Sequence, residues 1–495
     1  MSNIHSSKSF SLVEETLAAA LSAEQVKLPT ANSFAADRHT LQRSLAASVG
    51  IDTRLPVLLI SDGVSKNSGC GELSADDLLV QLLDGEKLLV EKISLAELLG
   101  VEPFEVHASV SAVASLAKHL SNRHAAAVVV LGSGSVTDIV KHALFELSWN
   151  ETPFIVVPTA LTVTAFTSHF AVLEESGAKR TRLSRRVDHC LWFAPVLAAA
   201  PASMTRAGYG DLLARFVAYG DWYLAWRFGV AARYDELAFR LMEPFSNILK
   251  KSAPELNKWP VSHAAAEELS ATLAMAGIAM SVSGETTPLS GYEHTISHAL
   301  DYLRLTSRRP LCWHGEQVAL ASLSSAESFD QLLALEKIDV HSHRPATAEQ
   351  VKRIIRQLLV TAPYYGAAEA ALTAEERKRG LESLQEDIDR ACEIFTADYL
   401  KKNELWIKAQ EKHAEIEEQW PATRAHLRTL VISADEMRSL LVQSGLPVLV
   451  EQLSQPTSAL EYRWAIRFSP FVRARASLSD IIFWLGEDPA LWAIV

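Results

Sequence analysis

The sequence predicts an α/β domain built on a parallel sheet, followed by a domain made of helices. Three observations predict it. Short continuous apolar runs at residues 55–60 (LPVLLI), 125–131 (AAAVVVL) and 154–157 (FIVV) recur with helical segments between them. Continuous rather than alternating apolar runs mark strands covered on both faces. The second run enters a glycine turn, Gly132-Ser133-Gly134-Ser135, that opens a helix. From Ala194-Pro195 onward the strand-like runs give way to helical patterns.

The chain has 495 residues, 48% hydrophobic and 21% charged, enough for two domains with large cores. A formal charge of −12 argues against nonspecific binding to nucleic acid. Cys70, Cys190, Cys312 and Cys392 are far apart and form no CxxC pair, which indicates neither a zinc knuckle nor a disulfide framework. Residues 1–9 are polar and lack the apolar core of a secretory signal. No run reaches the roughly eighteen apolar residues of a membrane span. The expectation is a cytoplasmic protein without membrane or nucleic-acid partners.

Residues 1–50 alternate short helical patterns with polar breaks and read as an N-terminal extension. Residues 51–195 read as the α/β domain and 196–495 as the helical one. The strand at 55–60 ends in Ser61-Asp62-Gly63. Asp62 could accept hydrogen bonds from a nucleotide ribose or simply shape the turn. In the first role it favours NAD, because a carboxylate there repels a 2′-phosphate. A further strand is expected over 88–95 and a helix over 106–120. Strand, glycine turn and helix at Gly132, Ser133, Gly134, Ser135 and Val136 are what a pyrophosphate site needs: close backbone approach and free N–H groups at a helix start. The pattern departs from G-x-G-x-x-G, since Thr137 holds the third glycine position, and Asp138 follows in the first turn. After the strand at 154–157, Thr159, Thr162, Thr164, Thr167 and Ser168 supply hydroxyls that could contact a ligand or cap a helix. The basic run Lys179, Arg180, Arg182, Arg185 and Arg186 reads as surface or, beside an anion site, as a source of one phosphate contact, Lys179 first, with a basic residue of the helical domain as the alternative for a substrate phosphate.

In the helical part, Asp211 opens an apolar aromatic helix over 211–228. Asp221 lies within it and is expensive to bury unpaired, so it should face solvent, a cation or the active cleft. A buried helix is expected over 269–282. His294 and His298 are four residues apart on one helix face, and His314 follows in a Trp-His-Gly turn. Each histidine alone is as readily a surface residue or a cap. With Asp211, two of them leave the open coordination position that catalytic zinc sites use. Further helices are expected over 318–335, 367–384 and 385–413. The aromatic stretch 468–485, around Arg473 and Arg475, should dock rather than dangle.

Three blocks, AGYGDLLAR (207–215), SGYEHTISH (290–298) and RARASLSDIIFWLG (473–486), carry a resemblance. From about residue 50 to the C-terminus the chain resembles the glycerol-1-phosphate dehydrogenase family, within the superfamily of dehydroquinate synthases and iron-containing alcohol dehydrogenases. The resemblance implies a Rossmann-like nucleotide-binding domain, an all-helical dehydroquinate synthase-like C-terminal domain and an active site in the cleft between them. It also implies NAD or NADP, a small phosphorylated substrate and a homodimer. Asp211, His294 and His314 would hold one divalent metal, zinc first, nickel or iron as alternatives. His298 would contact substrate. The nucleotide turn maps to Gly132, Gly134, Ser135 and Val136, with Asp138 in the following helix. The second nucleotide loop maps to Thr159, Ala160, Leu161 and Thr162, and a later contact to Ser168. The family's second loop reads Thr-Ala-Pro-Ser-Met-Asp-Gly, and its Asp touches substrate. Here the stretch is Thr159-Ala160-Leu161-Thr162-Val163-Thr164-Ala165, so Thr164 replaces that carboxylate. The implied reaction is hydride transfer between NAD(P)(H) and a small ketone such as dihydroxyacetone phosphate. A cyclase that uses NAD transiently, or a descendant that binds without turnover, are the alternatives.

Overall fold

The computed structural model describes residues 7–21, 30–49, 54–175, 178–340, 346–364, 373–375, 378, 382 and 384–493. The chain forms two units. One comprises Met1–Glu175, Lys179–Leu212 and Leu237–Thr286, the other Ser176–Ala178, Leu213–Glu236 and Thr287–Val495.

The first unit carries strands β1 (Ala31–Ala35), β2 (Val57–Ser61), β3 (Val90–Ser94), β4 (Ala127–Gly132), β5 (Phe154–Pro158), β6 (Phe170–Glu175), β7 (Ala178–Leu183) and β8 (His189–Phe193). Six of them make one sheet in the order β1-β8-β5-β4-β2-β3, and β6 and β7 form a separate two-stranded sheet. Every ladder of the large sheet is parallel. All residues of β2, β4 and β5 are buried, which is why their sequences are continuously apolar. One face, with Val57, Leu59, Val129, Leu131, Ile155 and Val157, shares a core with Leu41, Leu45, Leu78 and Leu82. Those leucines come from helices placed below.

The helices of this unit are α1 (Lys8–Ala20), α2 (Arg38–Val49), α3 (Ala75–Gly85), α4 (Leu95–Leu99), α5 (Val110–Leu120), α6 (Gly134–Glu146), α7 (Ala194–Ala199) and α8 (Ala202–Leu212). After α9 (Ala218–Arg227), in the second unit, α10 (Leu237–Ser252) and α11 (His263–Ser283) return to the first. In the second unit α12 (Tyr292–Thr306) packs along α13 (His314–Ala334), and the remaining elements are helical to the end of the described chain.

Four features differ from the sequence reading. Residues 31–35 form the edge strand β1, although 1–50 read as an extension, and 237–286 cluster with the sheet rather than with the later helices. Lys179, Arg180 and Arg182 of the basic run lie on strand β7, and Arg185 and Arg186 follow it. The helix expected over 211–228 is interrupted: α8 ends at Leu212, a 3-10 turn spans Leu213–Phe216, and Val217 leaves helical geometry at φ −133 and ψ −39. Asp211 therefore lies near the end of a helix instead of opening one. The helix expected over 367–384 falls largely outside the described residues. The stretch 468–485 docks as expected, with Phe468, Phe471, Leu478, Ile481 and Trp484 all buried.

Candidate active site

At the carboxyl ends of β4 and β5 two loops meet. The helix α6 begins at Gly134 with Ser133 as a cap residue whose side chain makes no capping bond, so the first-turn N–H groups are not covered by their own cap. The second loop is tied to the glycine turn by the Thr159 N–H, which donates to the Gly132 carbonyl at 3.1 Å. A Cβ on Gly134 would sit 2.4 Å from Val163 Cγ2, so the loop lies directly over the helix start. Thr162 Oγ1 is buried with no hydrogen-bond partner among the described residues. An uncapped helix start beside an orphaned buried hydroxyl fits a bound pyrophosphate, which would take hydrogen bonds from both.

Other expected contacts are engaged internally. Asp138 is buried, ion-paired with Lys141 at 3.3 Å, and accepts the Val172 N–H at 2.9 Å. Burial raises the Asp138 pKa and lowers that of Lys141, and Lys141 also donates to the carbonyls of Ala165 and Phe170. Lys179, on β7, lies near enough that its charge helps hold Asp138 down. Ser168 donates to the Phe170 carbonyl at 3.2 Å. Asp62 sits at the end of β2, where it accepts the Val64 N–H at 2.9 Å and pairs with Lys66, its turn-shaping role. Thr164 begins a short 3-10 turn, Thr164–Phe166, and is half-buried.

The AGYGD block has a packing reason. A Cβ on Gly208 would lie 1.8 Å from the Leu161 carbonyl oxygen, so only glycine lets α8 press on the second loop. Asp211, one turn further on, is 5% exposed.

On α12, His294 and His298 have ring centroids 6.2 Å apart, and His314, the first residue of α13, stands 5.3 Å from one and 5.8 Å from the other. His294 and His314 stand together in the second unit, and Asp211 lies on α8 of the first. Hydrogen bonds orient both ligand imidazoles. The Glu293 carboxylate, itself fully buried, lies 2.8 Å from His294 Nδ1. Ser297 Oγ donates to Gln317 Oε1 at 2.8 Å, so it must accept the Nδ1–H of His314 at 3.2 Å. Each ring thus carries a proton on Nδ1, which leaves Nε2 as the nitrogen that would ligate a cation. An Asp and two such imidazoles fit a borderline-soft divalent metal with an open position.

His298 is held differently. Arg473 Nη2 donates to its Nε2 at 2.7 Å; a guanidinium cannot accept, so His298 is neutral with its proton on Nδ1. Arg475 donates to Ser290 Oγ at 2.6 Å. Asp221 does not face solvent. It is 3% exposed and accepts the N–H of Tyr292 at 2.6 Å and that of Leu478. Burial and the Glu293 charge push its pKa well above the carboxylate range.

Sequence reasoning missed Glu293, Ser297 and Arg473. The first was within reach, because an acid directly preceding a ligand histidine is a natural partner for its ring. Arg473 is 175 residues from His298, and no local pattern announces the contact.

Comparison with known proteins follows the same lines. Residues 90–201 match the family described as iron-containing alcohol dehydrogenase. The chain is 31% identical over 260 residues to the glycerol-1-phosphate dehydrogenase [NAD(P)+] of Haloquadratum walsbyi, covering 49% of this chain and 70% of that one. It is 29% identical over 221 residues to the corresponding protein of Bacillus velezensis, covering 43% and 52%. The chain spans about half the length of the Bacillus relatives it matches. Among solved structures, a probable glycerol dehydrogenase from Sinorhizobium meliloti aligns over 84% of this chain and 97% of its own, with 15% identity and a TM-score of 0.44.

Proposed function

The chain belongs to the glycerol-1-phosphate dehydrogenase family, and on that premise we propose that it transfers hydride between NAD(P)(H) and a small phosphorylated ketone or polyol, such as dihydroxyacetone phosphate and glycerol 1-phosphate. The observation that carries the reading is the pair His294 and His314, with ring centroids 5.3 Å apart and Glu293 and Ser297 orienting the two imidazoles; Asp211 would complete the ligand set. When bound, a divalent metal supplies polarisation of the substrate carbonyl and the dinucleotide supplies the hydride.

The residues do the rest. Glu293 strengthens the His294 Nε2 donor by accepting at Nδ1, and Ser297 does the same more weakly for His314. His298, neutral and pinned by Arg473, offers its Nδ1–H to orient a substrate hydroxyl. The start of α6 and the Thr162 hydroxyl receive the pyrophosphate. We further propose zinc as the metal, a cytoplasmic location and a homodimer.

Metal analysis of the purified protein, then a panel of phosphorylated ketones and polyols with both dinucleotides, tests the reading. Net, metal-dependent change in NAD(P)H absorbance is expected. Turnover without net change in the dinucleotide would instead indicate a cyclase. Absence of metal-dependent change with every substrate would remove the dehydrogenase reading.

A further inference from the structure

We infer that Arg473 forms the anion subsite: its guanidinium takes the phosphate of the substrate and sets the preference for phosphorylated over uncharged ketones. The inference rests on the hydride-transfer reading and says which residue recognises the charged end of the substrate.

The position of the charge is the first argument. Arg473 bonds His298 Nε2, and the His298 ring stands beside both ligand histidines. One imidazole therefore links the guanidinium to the two histidines beside which a carbonyl would be polarised. A guanidinium has five N–H donors in one plane, so it can hold an imidazole nitrogen and engage an oxyanion together. Its fork matches phosphate oxygens in pairs, which a lysine does not.

The second argument is the effort spent on fixing the loop that carries it. Lys402, 1% exposed, donates to the carbonyls of Pro470 and of Arg475, the latter at 3.3 Å. The same ammonium pairs at 2.6 Å with Asp480, which is fully buried and accepts the Ser477 N–H at 2.8 Å. Asp221 holds the next N–H, that of Leu478, and Arg475 reaches Ser290 just ahead of α12. Burying so many charges is a poor route to stability. What they give is a fixed backbone from Pro470 to Leu478, and a preorganised cation binds an anion without reorganising. Lys179, the sequence-level candidate for a phosphate contact, is instead on β7 near Asp138.

The test uses Arg473→Gln and Arg473→Lys in the metal-loaded full chain with saturating NAD, so that added phosphate cannot occupy the nucleotide turn. Inorganic phosphate should raise the melting temperature of the parent protein, lose that effect in R473Q and keep part of it in R473K. The ratio of kcat/KM for dihydroxyacetone phosphate over dihydroxyacetone should fall about 100-fold in R473Q. An equal fall for both ketones would mean that Arg473 acts only by holding His298, and the subsite is overturned. An undiminished phosphate effect in R473Q overturns it too. If the parent protein reduces neither ketone but R473Q alone loses the phosphate effect, the dehydrogenase reading fails and the anion subsite stands.

Discussion

Gly208→Ala is a sharp single perturbation, because it adds one methyl group where α8 presses directly on the backbone of the second loop. The new Cβ would lie 1.8 Å from the Leu161 carbonyl oxygen, 2.6 Å from its carbon and 3.1 Å from the Thr162 nitrogen. Contacts below 3.0 Å essentially do not occur, so α8 and the second loop must part by at least 1.2 Å. No side chain can rotate away to absorb this. Overpacking of this kind costs about 1–3 kcal/mol, and a rigid backbone neighbour places it toward the upper end. Asp211 is carried by the same helix one turn on, and Thr162 by the same loop. A displacement of about 1 Å at a reacting centre lowers turnover by roughly 100-fold. Metal retention after gel filtration, dinucleotide affinity and kcat/KM should therefore all weaken in G208A. A soluble G208A protein with the parent's metal content and dinucleotide affinity would refute the close packing of α8 on the loop.

Other perturbations separate the parts. His314→Ala should lower bound metal and activity together, activity by at least about 100-fold given what loss of even an outer partner costs; unchanged metal stoichiometry removes it from the ligand set. Gly134→Val puts side-chain carbon where a Cβ is already 2.4 Å from Val163, so dinucleotide binding should weaken with metal retained, as titration calorimetry would reveal. Thr164→Asp restores a carboxylate to the second loop and should raise kcat/KM for glycerol 1-phosphate relative to other polyols; an unchanged ratio means that Thr164 does not set specificity. His189, bonded by Ser33 and Ser48, is pushed down by burial to a pKa of about 4. Its neutral form is favoured by folding, so its contribution is complete above about pH 6.5 and is lost between there and about pH 4, at roughly 1 kcal/mol per pH unit. Denaturant midpoints across that range should fall with pH, and His189→Gln should flatten the slope.

How much was legible in the sequence depended on whether the deciding contact was local. The strands β2, β4 and β5 announce themselves because burial on both faces demands unbroken apolar residues. In contrast, β1 reads Ala-Asn-Ser-Phe-Ala and is mostly half-exposed. It becomes a strand by pairing with β8, more than 150 residues later, and nothing within its five residues shows that. The break between α8 and α9 was hidden because apolar periodicity continues across it; the backbone turn at Val217 interrupts the helix while the residues remain buried. The candidate ligands were legible because their chemistry is carried by residue type, and the four-residue step placed His298 on the face of α12 that carries His294. The engagement of Asp138 by Lys141 and Val172 was not, since a phosphate contact and a buried ion pair look alike in a sequence.

Asp221 shows why the end of the chain takes part in the site at all. Its cost of burial was evident from the sequence, and solvent, a cation or a cleft seemed the only remedies. The structure adds a fourth to the nearby charge of Arg475. One carboxylate accepts the first-residue N–H of α12, at Tyr292, and that of the helix Leu478–Trp484, at Leu478. Both are helix starts, where unsatisfied N–H donors need an acceptor. The same carboxylate therefore sets the origin of two helices. His294 stands two residues beyond one origin, and Arg473 five residues ahead of the other. Their relation is fixed through a shared anchor as well as through the bond between Arg473 and His298, so the ordering of the C-terminal segment and the placing of the histidines are one structural event.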